Sequence, residues 1–157
     1  MTTQQIEKGF VKNVRVNKKA NFVFPNIYLG GFECDILEIT KSGYSYEYEV
    51  KISVSDFKAD SKKKGKFDKP RTNYFYYIVP ENLISVESIP DYAGLIYCKP
   101  ISCGYHTKER GHYSLDRIQF TIIKTAPKLK KDKFEENKFR YLLEKIYYRF
   151  LTKYEDD

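Results

Sequence analysis

The sequence has no tryptophan, only three cysteines, and no uncharged apolar run near the length of a membrane helix. The missing apolar run excludes a helical membrane span. The first ten residues, MTTQQIEKGF, have neither the basic n-region nor the apolar h-region of a secretory leader. An odd number of cysteines without such a leader points to reduced thiols rather than a disulfide framework. A soluble, cytoplasmic protein is the expectation. No G-x-S-x-G, Walker A or G-x-G-x-x-G pattern occurs, so the commonest hydrolase, nucleotide and dinucleotide signatures are missing. No internal repeat is visible either.

What is present is enough for one folded domain over 1–157. The chain is 41% hydrophobic and 17% aromatic, with 15 tyrosines, which suffices for a core. Lysine and arginine number 28 against 21 acids, a formal charge of +7. That sign suggests an anionic partner, nucleic acid being the commonest.

Periodicity sets the expected elements. Ile6, Phe10 and Val14 lie four residues apart, which predicts a helix over Thr3–Val14, with Gly9 as a weak point. NFVFPNIYL (21–29) reads as a strand whose Pro25 requires an edge or a bulge. The glycines at 30–31 turn the chain into FECDILEI, Phe32–Ile39, and TKSGY turns it back into YSYEYEVKISV (44–54), an antiparallel hairpin. Ser55 is a plausible N-cap for a helix that breaks near Gly65. NYFYYIVP (73–80) and AGLIYC (93–98) are short apolar runs suited to buried strands, with Tyr74, Tyr76 and Tyr77 better suited to a core than to stacking on bases. Residues 99–112 read as loop, and SLDRIQFTII as a further strand. Phe139, Leu142, Leu143, Ile146, Tyr147, Phe150, Leu151 and Tyr154 repeat as an amphipathic helix over about 132–154, with Asp132 and Glu135 at capping-box spacing. The core then spans about 1–125, and the fold class is α/β.

One strand carries chemistry. Alternate residues point to opposite faces, so Tyr46, Tyr48, Val50, Ile52 and Val54 share an apolar face and Glu47, Glu49, Lys51 and Ser53 a polar one. The hairpin brings Asp35 roughly opposite Glu49–Lys51. Two carboxylates this close repel unless a cation sits between them, and hard oxygen donors favour Mg2+ or Mn2+. An adjacent lysine can orient or deprotonate a water, or stabilise charge on phosphate. The opposing reading is an ion pair on a solvated sheet surface.

Asp35 followed by Glu49-Val50-Lys51 on an adjacent strand resembles the PD-(D/E)XK nuclease superfamily, with its restriction-endonuclease-like fold. The stretch CDILEI…YEYEVKISVSDFKADSK, followed by NYFYYIVP, is similar to the MmcB-like DNA-repair endonucleases, which carry an E-x-K-x-S-x-x-D-F-x-x-D-x-K pattern. The resemblance covers about residues 30–100. It implies a mixed β-sheet flanked by helices, to which the C-terminal amphipathic helix is an addition. It implies that Asp35, Glu49 and the Val50 carbonyl bind a divalent metal, that Lys51 positions the attacking water, and that Glu7 on the first helix completes the catalytic set. Ser53 and Asp56 belong to the same pattern and are assigned to nucleic-acid binding. Cys34 replaces the proline that usually precedes the aspartate. A second E-x-K triplet, residues 136–138, falls on a helix, where i and i+2 do not face each other.

Lys58, Lys62, Lys63 and Lys64, continued by Lys66, Lys69 and Arg71, are candidates for phosphate contacts, or simply a solvated face. The basic stretch 124–133 could extend that track. Cys98, Cys103, His106 and His112 are zinc-type residues without zinc-finger spacing. The expectation is a metal-dependent endonuclease acting on nucleic acid, DNA first, with a homodimer as a candidate assembly. The alternative is a non-catalytic nucleic-acid-binding or scaffolding protein on the same fold.

Overall fold

The computed structural model describes residues 1–17, 21–60, 69–107 and 111–152, with the backbone alone at 103, 105–107 and 111–116. It is a mixed α/β structure. Helix α1 (Thr3–Asn17) precedes strands β1 (Phe22–Leu29), β2 (Phe32–Ile39) and β3 (Ser45–Val50). Helix α2 (Val54–Asp60), β4 (Tyr74–Pro80), a 3-10 turn at Val86–Ser88, β5 (Gly94–Thr107), β6 (Gly111–Lys124) and α3 (Glu136–Leu151) follow. The six strands form one sheet in sequential order, antiparallel at both ends and parallel between β3, β4 and β5. None of the described helices is long and apolar enough to cross a membrane.

Local chemistry explains most of this. Gly30 and Gly31 both have positive φ, 60° and 85°, the geometry of the tight turn joining β1 to β2. Pro25 sits on β1, an edge strand, where its missing N–H costs least. Gly9 does not break α1. A side chain there would press on Ile118 at 3.2 Å, so the glycine lets helix and sheet approach.

The register assigns the two faces. Tyr46 pairs with Tyr74, Tyr48 with Tyr76 and Val50 with Ile78, and this face packs under Ile6, Phe10 and Val14 of α1. Tyr46 and Tyr74 stack with ring centres 4.6 Å apart. Tyr76 and Tyr77 are buried, so the tyrosine run is core, as its apolar continuity suggests. The opposite face holds Phe75 and Tyr77 under Phe57 of α2, and Phe24, Leu37 and Ile39 under Leu142 of α3.

Four expectations are corrected. β3 ends at Val50, not Val54, and Ile52 and Val54 are exposed rather than part of an apolar strand face. Residues 99–107 are strand, not loop: β5 runs through them in register with β6, as Pro100 opposite Ile118 and Ser102 opposite Asp116 show. The N-cap of α3 is Glu135 without a side-chain cap bond, and the Asp132 carbonyl instead accepts from Asn73. The apolar stripe of α3 is only partly used. Leu142 is buried and Phe139 and Ile146 half-buried, while Leu143, Tyr147 and Phe150 stay exposed because the helix lies on one corner of the sheet. Tyr154 lies outside the described residues.

Candidate active site

The site forms where β2 parts from β3. Their pairing stops at Ile36↔Tyr48, although continuation would set Asp35 opposite Glu49. β1 and β2 stay paired on either side of this point, with Asn26 opposite at φ 50°. The Val50 N–H, left without a ladder partner on β2, donates to Asp35 Oδ2 at 2.8 Å. The fork thus fixes the aspartate by a backbone N–H that continued pairing would have turned toward Cys34.

Glu49 is the penultimate residue of β3, on the face turned toward α2. Lys51 lies just beyond the strand, its N–H still donating to the Ile78 carbonyl at 3.0 Å. Its ammonium turns back to Glu49 Oε2 at 3.2 Å and reaches Asp60 Oδ1 at 3.6 Å and Asp56 Oδ1 at 4.0 Å. Glu47, Glu49 and Lys51 are only 2%, 3% and 6% exposed, so the reading of a solvated surface pair is wrong. Charges this deeply buried persist only when paired.

Electrostatics link these groups. Burial, and then the Glu49 charge, push the Asp35 carboxyl up to about 6, despite the Val50 N–H and the Lys51 ammonium. Glu7 on α1 adds to this push on Asp35. Its own carboxyl is raised by burial against a hydrogen bond with the Asn26 side chain. For Lys51, burial works against the charged form, but Glu49, Asp60, Asp56 and Asp35 outweigh it and its pKa rises. The lysine is therefore a fixed cation.

Of the residues selected from sequence, the fold groups Asp35, Glu49 and Lys51 and brings Glu7 within electrostatic reach of them. The Val50 side chain points away, into the core under α1, while its backbone lies between the two charged residues. Ser53, and not Ser55, caps α2: its Oγ accepts the Asp56 N–H at 3.1 Å. Asp56 leans on Lys51. Ser53 and Asp56 thus both have local partners within the fold. Lys58 is exposed on α2, whereas Lys62, Lys63, Lys64 and Lys66 lie outside the described residues. Arg71 is no part of a phosphate track, since it is held by Glu47 and by the Leu29 carbonyl at 2.8 Å. Lys124 is held too, by the carbonyls of Ile89 and Pro90. Cys98 is a core residue whose thiol burial pushes up to about 11. The side chains of Cys103, His106 and His112 lie outside the described residues. Lys138 of the second E-x-K triplet pairs with Glu135 at an exposed position on α3.

Sequence reasoning missed Asp60, which is wholly buried between Lys51 and the Tyr77 hydroxyl, the latter donating to it at 3.1 Å. The available signal was its place as the last aspartate of the D-F-x-x-D pattern, four residues from Asp56 on one helix. It also missed the buried Glu47–Arg71 pair, and Glu38, which accepts from Tyr48 Oη at 2.7 Å and from Asn21. Arg71 lies 24 residues from Glu47, and no local pattern connects them.

Among the described residues, no group of three or more His, Cys, Asp or Glu side chains converges on a metal position. The pair Asp35–Glu49 nevertheless fits Mg2+, which binds through one or two carboxylates and fills its shell with water and substrate phosphate. Burial first, and then repulsion from Glu49, raise the Asp35 pKa, and a cation between the two carboxylates would relieve the second of these.

No family model matches the chain, and no curated protein matches it. A solved structure of a protein of unknown function from Silicibacter pomeroyi is similar, with a TM-score of 0.63 and 18% identity over 98% of this chain and 88% of that one. That likeness concerns the fold alone.

Proposed function

We propose that this chain is a metal-dependent nuclease of restriction-endonuclease-like architecture that hydrolyses phosphodiester bonds, in DNA first. The observation that carries this reading is the fork of β2 and β3, where Asp35 and Glu49 lie beside the buried cation Lys51. Asp35, Glu49 and the Val50 backbone carbonyl would hold Mg2+ or Mn2+. When bound, such an ion polarises the phosphate and lowers the pKa of a bound water. The chain's own residues do the rest. The Val50 N–H orients Asp35. Asp56 and Asp60 keep Lys51 protonated, which suits it to stabilise charge on the phosphate and not to act as a general base. Glu7 sits near Asp35 as a further carboxylate.

A labelled DNA incubated with Mg2+, Mn2+ or EDTA tests the reading. Wild type should cut only with metal. Asp35→Asn, which keeps an acceptor for the Val50 N–H, should lower the rate by more than about a hundredfold while still melting cooperatively. Lys51→Ala is a poorer test, because it strands buried Glu49 and Asp60 without their cation and costs on the order of 3–5 kcal/mol. The direct Lys51–Glu49 pair favours a second reading, a non-catalytic nucleic-acid-binding protein. DNA binding in EDTA with no cutting under any metal would select it.

A further inference from the structure

A cleft of about 690 Å3 opens between α3, the β1–β2 turn and residues 69–71. We infer that it binds an unpaired strand of nucleic acid and feeds it to the Asp35–Glu49 site. This rests on the proposed nuclease reading for its purpose, but not for its chemistry.

Three features select the ligand. The first is aromatic: Tyr28 and Tyr141 line the cleft with 69% and 52% of their surface exposed. Exposed tyrosine rings are platforms on which bases stack with little regard to sequence, although the Lys145 ammonium lies over one face of Tyr141, 4.9 Å from the ring centre. The second is charge. Lys69, Lys130, Lys138 and Arg71 line the same cleft against one acid, Glu135. Lys138 is paired with Glu135, which also feels the Lys130 charge, and Arg71 is paired with Glu47; Lys69 and Lys130, in no ion pair among the described residues, are the cations placed for phosphate. The third is size. A cavity of this volume is in the range that encloses a small ligand, here one or two nucleotides, and is too small for a duplex.

The cleft and the carboxylates are neighbours. Arg71 forms part of the cleft wall and is bound to Glu47, which shares a face of β3 with Glu49 two residues on, about 7 Å away. The buried Cys34 thiol feels Glu47, Glu49, Arg71 and Asp35 together, as expected if both sites border it. The buried Arg71–Glu47 pair therefore lies between the cleft and the fork.

The test is fluorescence anisotropy of the full chain in EDTA, with labelled oligo-dT, oligo-U and a DNA duplex. One of the single strands should bind more tightly than the duplex. Tyr28→Ala and Tyr141→Ala should each weaken that binding by roughly tenfold, whereas Tyr141→Phe, which keeps the ring, should not. Lys69→Ala and Lys130→Ala should each reduce the salt slope by about one. Single-strand binding that survives the double change Tyr28→Ala/Tyr141→Ala, or failure of both oligo-dT and oligo-U to bind, would overturn the inference. Binding that depends on the tyrosines, with no cutting under any metal, would remove the nuclease reading and leave the cleft standing. Metal-dependent cutting by a protein indifferent to the tyrosine changes would do the reverse.

Discussion

At Asp35 burial and the Glu49 charge raise the carboxyl from the ordinary 3.8 to about 6, so the fold favours its protonated form relative to the unfolded chain. The native state then holds a proton that the unfolded chain has released between those values. Asp35's contribution to stability is complete below 3.8 and is lost as pH rises through about 6, at most about 3 kcal/mol. Melting temperature in EDTA should therefore fall between about pH 4 and pH 7 more steeply for wild type than for Asp35→Asn. If Asp35 and Glu49 hold a cation as proposed, Mn2+ should restore the wild-type value near neutral pH and leave the variant unmoved. Equal pH slopes for the two proteins would show that Asp35 is not the strained carboxylate. Lys51 is a contrast at the same scale. Its cradle of Glu49, Asp56 and Asp60 overcomes burial, so the lysine stays charged and its buried neighbours stay satisfied.

At the scale of elements, α2 matters out of proportion to its 7 residues. It carries Asp56 and Asp60 to Lys51 and Phe57 into the core, all within two turns. So short a helix depends on its cap, because isolated turns are costly to nucleate. Ser53→Ala should cost about 1 kcal/mol, read as a shift in the denaturation midpoint. Ser55→Ala, at the position that local sequence favours as the cap, should cost less, since Ser53 takes the Asp56 N–H. A larger loss at Ser55 would reverse the assignment. The cap differs from expectation because Lys51 leaves the strand early, drawn back toward Glu49 and Asp60, and the helix begins sooner.

Across the whole molecule, Asn73 ties distant parts of the chain together. Its Oδ1 accepts from the Ser45 N–H and hydroxyl at 2.9 and 3.0 Å, and its Nδ2 donates to the carbonyls of Lys130 and Asp132 at 3.0 and 2.8 Å. One buried side chain thereby joins the start of β3, the start of β4 and the segment that delivers α3. Asn73→Ala would orphan several buried groups and should cost about 3 kcal/mol or more in urea denaturation. Hydrogen exchange should quicken in 129–151 more than in β4. Because α3 is one wall of the basic and aromatic cleft, the same change should also weaken single-strand binding. Uniform loss of protection would mean that Asn73 supports the sheet alone.

Sequence by itself determined the elements whose causes are local. β2 falls on Phe32–Ile39 as its apolar pattern indicates, and the paired glycines at 30–31 make the turn because their φ values suit it. The approximate meeting of Asp35 with Glu49 was also legible, since a short turn sets which residues of a hairpin face each other. Tertiary structure alone decided what depends on a distant partner. Alternation shows that Glu47 and Glu49 share a face with each other, but not that helices, Arg71 and Lys51 cover that face and bury the charges. Residues 99–107 look like loop by composition, and become strand because β6 supplies the hydrogen bonds. Asp60 and Arg71 acquired their partners in the same way. Side-chain direction is a local property of the backbone, whereas burial and pairing belong to whichever segments the fold brings alongside.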